Sequence, residues 1–329
     1  MFTEQSLRDH PSLVKAFMGI SAEQFWELIE EMTSHFANSP SIRPQRSDRV
    51  RALGGGRAYT HSLVVRTALV LTYLRLHIPQ ASVAALFGAD QSDVSRELRR
   101  LLPLIQLCLP CPLLWEVVAD DQAVPAASCL SLDALAQGRV LIDATEQRVS
   151  RPQDSLEQKA YYSGKKHGFT LKTQFVTDGQ HHIEAISSAQ PGAGHDKALS
   201  DQVRTLERLP DGCEADADKG YQGLAAQVSH VIVRDPQTGE TTQVPRLTVQ
   251  PPFKKPKGGE LSDEQRAFNR ALGAIRIRIE HCIGWAKNWT ILATRFRCDH
   301  AIYKPIMRTI CGFVNVQTAR WQAAKANCA

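Results

Sequence analysis

The stretch RIRIEHCIGWAK, residues 276–287, restricts the fold more than any other. Ile275, Ile279, Cys282, Ala286 and Trp289 recur at spacings of four, three, four and three, the apolar stripe a helix needs in order to pack on a core. Arg276, Glu280, Gly284 and Lys287 fall within roughly 80° of arc on the other side. One face therefore demands an apolar partner. The other presents a carboxylate between two cations, over a glycine that lets a second backbone or a ligand come close. That polar face is either solvated surface with helical charge pairs or part of a site.

The rest of the chain has to supply the partner. Residues 1–40 read as helical, with apolar positions at Leu13, Phe17, Ile20, Phe25, Leu28, Ile29 and Met32. Residues 41–58 hold five arginines and a triple glycine, either a flexible linker or an arm that touches phosphates. A long helix is predicted over 61–77, stopped by Pro79. In ASVAALFGADQSDVSRELRRL, Ala84, Gly88 and Val94 have the spacing of a helix-turn-helix over about 81–102. Gln91, Ser92 and Ser95 would then face bases, and Arg96, Arg99 and Arg100 would face phosphates. Ordinary helical hairpins share that spacing, and Asp90, Asp93 and Glu97 oppose phosphate binding.

Beyond a Pro-rich connection, the pattern changes at residue 138 from helical periods to short strands. VLIDATEQRV leads to Asp143; HGFTLKTQFVTDG ends in a turn at Asp178 and Gly179; HHIEAISSAQPGAG follows; ADADKGYQG places Asp218 before a glycine turn. A helix over 195–210 separates the last two. The expected fold is α/β, a mixed sheet flanked by helices and preceded by an all-α domain. The expected domains are a helical DNA-binding part at 1–125, a linker at 126–137 and the α/β part at 138–329.

Charge narrows the partners. The net charge of +5 is mild, but residues 251–329 hold 14 Lys/Arg against 5 Asp/Glu, which favours a polyanion. The Pro/Gly-rich PPFKKPKGGELS, with Lys254 and Lys255, and the aromatic, basic YYSGKK, with Lys165 and Lys166, are loops suited to DNA contact or are simply solvated. The eight cysteines read as reduced thiols of a cytoplasmic protein. Cys108 and Cys111 form a CLPC pair, but no second pair at ligand spacing supports a metal site. Neither a signal peptide nor a membrane span is expected.

Asp143 and Asp218 sit where an unpaired charge is costly. With Glu280 from the helix, they make three oxygen donors from separate elements, a set that suits two Mg²⁺ ions, or Mn²⁺ in their place. Such a site supports in-line displacement at phosphorus.

The segments LIDATE, YYSGKKHGFTLKTQ, ISSAQPGAGHDK, ADKGYQG, PFKKPKGGELS, NRALGAIRIRIEHCIGWAK and FRCDH, in this order, resemble the DDE transposases of bacterial insertion sequences, in the Harbinger-related branch. The resemblance covers about 138–321 and extends to the preceding helix-turn-helix. It implies an RNase H-like catalytic domain with Asp143, Asp218 and Glu280 as the acidic triad. It also matches Arg276 and Lys287 to the arginine and lysine of the family's signature, whose tyrosine is replaced here by Gly273. The implied substrates are double-stranded DNA, as inverted-repeat ends and target, handled in the nucleoid by a homodimer or larger assembly. Asp196 in GAGHDK is a further acid, a metal ligand or a helix cap. His195 and His281 flank these positions and are expected to pack around them rather than ligate.

Overall fold

A computed structural model describes residues 1–38, 60–234 and 240–327. The arginine-rich stretch 41–58 lies outside the described residues. The chain divides into two compact units, Met1–Cys111 with Ala286–Val316, and Pro112–Trp285 with Gln317–Ala329.

The first unit begins with helices α1 (Glu4–Asp9), α2 (Pro11–Met18), α3 (Ala22–Asn38), α4 (Leu63–Leu76), α5 (Gln80–Phe87) and α6 (Gln91–Leu107). α4 is buried around its whole circumference, from Val64 to Leu74, so it is the central rod that the others cover. Its one buried cation, Arg66, meets the buried Glu97 of α6 at 2.6 Å. Between α5 and α6 the chain turns at Gly88, whose φ of +65° is the left-handed conformation that glycine adopts without strain. Ala84 and Val94 are buried on either side of that turn. α6 runs five residues beyond the sequence expectation of Leu102. Pro103 lies inside it on an exposed face, where water can take the carbonyl left unpaired by the missing N–H, while Leu104 and Ile105 stay buried.

The second unit is built on a sheet. Its strands are β1 (Leu113–Trp115), β2 (Arg139–Arg148), β3 (Tyr162–Ser163), β4 (Gly168–Asp178), β5 (Ile183–Ser187), β6 (Gln190–Pro191), β7 (Glu214–Ala217) and β10 (Thr248–Gln250). A separate hairpin pairs β8 (His230–Arg234) with β9 (Thr241–Pro245). The main path runs β1-β5-β4-β2-β7-β10. β4 is antiparallel to both β2 and β5, whereas β7 is parallel to β2 and β10 is parallel to β7. Three strands in antiparallel succession, followed by two parallel strands added at the side of the first, make the RNase H-like order that the resemblance implies. The short helices α7 (Ser155–Tyr161), α8 (Asp196–Gln202) and α9 (Thr205–Arg208) and the long α10 (Asp263–Lys287) accompany the sheet.

Residues 126–138 contain three single-turn helices, and Leu130 and Leu135 enter the sheet core. Arg208 ties this strap down. Fully buried, it donates to the Ser128 hydroxyl at 2.5 Å, and its own carbonyl accepts the Leu130 N–H at 2.8 Å. Two helices end the chain, α11 (Thr290–Ala293) and α12 (Tyr303–Ala326). Among the described residues no helix is long and apolar enough to cross a membrane.

Candidate active site

Strand alternation sorts the sheet into two faces. Val140, Ile142, Ala215 and Ala217 share one core with Leu199 and Val203; Asp143 and Asp218, one step on, point the other way. The parallel register pairs Val140 with Ala215 and Ile142 with Ala217. Extended by one residue it sets Asp143 beside Asp218 on strands about 4.8 Å apart. Two anionic groups that close require a cation.

That cation is Arg276 on α10. Its Nη2 lies 3.2 Å from Asp143 Oδ2 and its Nη1 2.9 Å from Asp218 Oδ1, while its Nε has no hydrogen-bond partner among the described residues. Asp143 Oδ1 accepts the Ala144 backbone N–H at 2.7 Å. Burial pushes the Asp143 carboxyl up to about 6, against the pull of Arg276 and of that N–H, and nearby Asp218 and Asp196 add to the rise.

Asp196 is the first residue of α8, not its cap, and its carboxylate is taken up by the buried Lys172 at 2.8 Å. Lys172 also donates to the Gly194 carbonyl at 2.6 Å and lies 3.6 Å from Glu146. A Cβ on Gly220 would stand 2.5 Å from Asp196 Oδ2, so a glycine in the turn after Asp218 is what lets this third carboxylate approach. The fully buried Tyr221 follows, its hydroxyl without a partner among the described residues. Burial first, then Asp196, Asp143 and Asp218 in turn, hold that phenol well above its ordinary pKa.

Of the predicted residues, Asp143, Asp218 and Arg276 are joined directly, and Asp196 lies within electrostatic reach. Glu280 is exposed on α10, one turn beyond Arg276 and about 40° round the axis. No hydrogen bond or ion pair joins it to Asp143 or Asp218 among the described residues. Lys287 is the last residue of the same helix. His281 does not pack on the acids; its ring stacks on His181 at 5.6 Å, with Trp285 5.2 Å and Trp321 5.9 Å from His181. His195 holds the cap position of α8.

The residues predicted to bind DNA are mostly exposed, but several are already engaged. Gln91 and Ser92 open α6 in solvent, and Ser95 is half-buried. Arg96 donates to Asp93 at 2.6 Å, Arg99 to Asp299 at 3.2 Å and Arg100 to Glu97 at 3.1 Å. Lys165 and Lys166 stand exposed in the turn between β3 and β4; Lys254 and Lys255 are exposed before α10, Lys255 paired with Glu260. Reading the sequence missed Asp216, Lys172 and Tyr221. Asp216 is buried 3.3 Å from Arg139. Its signal was the D-A-D spacing, which puts Asp216, in β7, on the same side as Asp218 just past the strand's end.

Two carboxylates from neighbouring strands closing on one cationic group, with a third acid close by and an unpartnered phenol beneath, form a hard-oxygen donor set. Arg276 supplies the positive charge. These are the donors a divalent cation such as Mg²⁺ takes. Residues 142–315 match a family described as DDE superfamily endonuclease. The chain belongs to that family. Its matched segment starts at the residue before Asp143 and takes in Asp218, Arg276 and Glu280. This DDE endonuclease is 32% identical over 184 residues to a probable transposase for insertion sequence element IS702 of Microchaete diplosiphon, an alignment covering 55% of this chain and 57% of that protein. No solved structure matches it.

Proposed function

We propose that this chain is the transposase of an insertion sequence, which binds the inverted-repeat ends of its element, hydrolyses phosphodiester bonds there and joins the freed 3′ ends to target DNA. The observation that carries this reading is the convergence of Asp143 and Asp218 on a single cation at the ends of two parallel strands. Asp143, Asp218 and Glu280 are the residues to hold two divalent ions, Mg²⁺ or Mn²⁺, with Asp196 as the further acid beside them. When bound, such ions supply Lewis-acid stabilisation of charge developing on phosphate oxygens.

The chain's own groups do the rest. Arg276 bridges the two aspartates and brings positive charge into the site, where a cation can stabilise phosphate charge. Lys287 continues that basic face along α10. The helices α5 and α6 act as a helix-turn-helix, with Gln91, Ser92 and Ser95 toward base edges and Arg96, Arg99 and Arg100 toward phosphates. Lys165, Lys166, Lys254 and Lys255 add phosphate contacts from loops. Residues 1–125 thus serve mainly to hold DNA and 138–329 to cut and join it, in the nucleoid and as a dimer or larger assembly, because two ends must be handled together.

The test is a cleavage and joining assay on the element's own ends with Mg²⁺, comparing wild type with Asp143→Ala. The variant is expected to lose both nicked and joined products. Equal product from the two proteins would remove Asp143 from the reaction, and nicking without joined product would reduce the proposal to a nuclease.

A further inference from the structure

α3 carries Glu31 and His35 four residues apart, so their side chains leave the same face of the helix. α6 packs against α3 and ends at Cys108. The consequence is a cluster within the first unit: a carboxylate oxygen of Glu31, an imidazole nitrogen of His35 and the Cys108 sulfur all lie within 4.8 Å of one another. Glu31 is exposed, while His35 and Cys108 are half-buried. These are oxygen, nitrogen and sulfur donors converging from two helices, at one edge open to solvent.

We propose that Glu31, His35 and Cys108 form a binding site for a borderline-soft divalent cation of the zinc class, separate from the catalytic acids. Mixed carboxylate, imidazole and thiolate ligands suit Zn²⁺, at about 2.0–2.2 Å for oxygen, 2.0–2.1 Å for nitrogen and 2.3 Å for sulfur. A tetrahedral ion with those bond lengths holds its ligands about 3.3–3.8 Å apart. The cluster needs to close by about 1 Å, within reach of side-chain rotation in Glu31 at the surface. Cys108 now donates its S–H to the Leu104 carbonyl at 3.4 Å, and burial pushes its thiol up to about 12. Binding releases the thiol proton to solvent and replaces that weak bond with a metal–sulfur bond. Cys111 lies outside the three-atom cluster, its sulfur close to Gly312, and the fourth position is left to water. The ion would pin the C-terminal end of α6 to α3, stiffening the helices proposed to read DNA.

The purified full chain, freed of metal with a chelator, is titrated with Co²⁺ and then with Zn²⁺. The expected result is a thiolate-to-metal charge-transfer absorption that saturates at one Co²⁺ per chain, its displacement by Zn²⁺, and a rise in melting temperature that Cys108→Ser lacks. His35→Ala and Cys108→Ser should abolish the band; Cys111→Ser and Cys129→Ser, whose thiols are not among the three donors, should keep it. Glu31→Gln, at an exposed position that leaves the fold intact, should weaken Co²⁺ binding at least tenfold. A band that survives in Cys108→Ser or His35→Ala, or disappears in Cys111→Ser, overturns the assigned ligand set; no band in the wild type overturns the site. None of these readouts depends on DNA cleavage.

Discussion

Replacing Asp143 by Asn should make the metal-free protein more stable while removing its activity. Asp143 has an ordinary carboxyl pKa of 3.8 when unfolded and about 6 when folded. The folded state therefore holds its proton more tightly. Below about pH 3.8 the group is neutral in both states and carries no penalty. As the pH rises through 6, the stability associated with the held proton is lost. At about 1.4 kcal/mol per pH unit the loss amounts to about 3 kcal/mol by pH 8. Asn keeps the shape and removes the charge, and Arg276 retains Asp218 as its partner. Urea unfolding in a chelator should thus show Asp143→Asn level with wild type at pH 4 and more stable by up to about 3 kcal/mol at pH 8. Adding Mg²⁺ should raise the wild type and leave the variant where it was. A variant no more stable than wild type at pH 8 would refute the claim that burial of this carboxylate outweighs its pairing with Arg276.

Gly220→Ala should force the Asp196 carboxylate off its present position, since the new Cβ would stand 2.5 Å from it; a loss of about 1–3 kcal/mol is expected in thermal melts, with lower cleavage activity. Arg66→Ala strands the buried Glu97 with only the surface Arg100 beside it, and denaturation should report a cost near 3 kcal/mol, the lower end for breaking a buried pair, whereas replacing both residues by Met should cost less. Arg99→Ala should weaken DNA binding equally for all sequences and reduce the slope of log affinity against log salt by about 0.9; an unchanged slope would mean that Arg99 does not touch phosphate. Its present bond to Asp299, on the exposed surface, is too weak to resist that exchange.

Much of this molecule could be read from local pattern. Within α10 the stripe through Ile279, Cys282 and Ala286 is buried as its spacing requires, with Ile275 half-buried, because the period of a helix decides which residues share a face; Trp289, expected to continue it, is buried too but lies past the helix end at Lys287, in extended backbone. Gly88 turns between α5 and α6 because the left-handed backbone there favours a residue without a side chain. Asp143 stood out as a charge in an apolar strand. What the pattern could not supply was company. Alternation along β2 and along β7 says nothing about their mutual register, yet that register alone sets Asp143 beside Asp218. The helical wheel placed Arg276 and Glu280 on one arc but not which of them meets the aspartates; the packing of α10 chose Arg276. Lys172 reached Asp196, and Cys108 reached Glu31 and His35, across gaps of 24 to 77 residues in the chain. Periodicity is a property of neighbours in sequence, encoded once per turn or per pleat. The meeting of distant side chains is a property of how whole elements bury their apolar faces, and only the folded chain decides it.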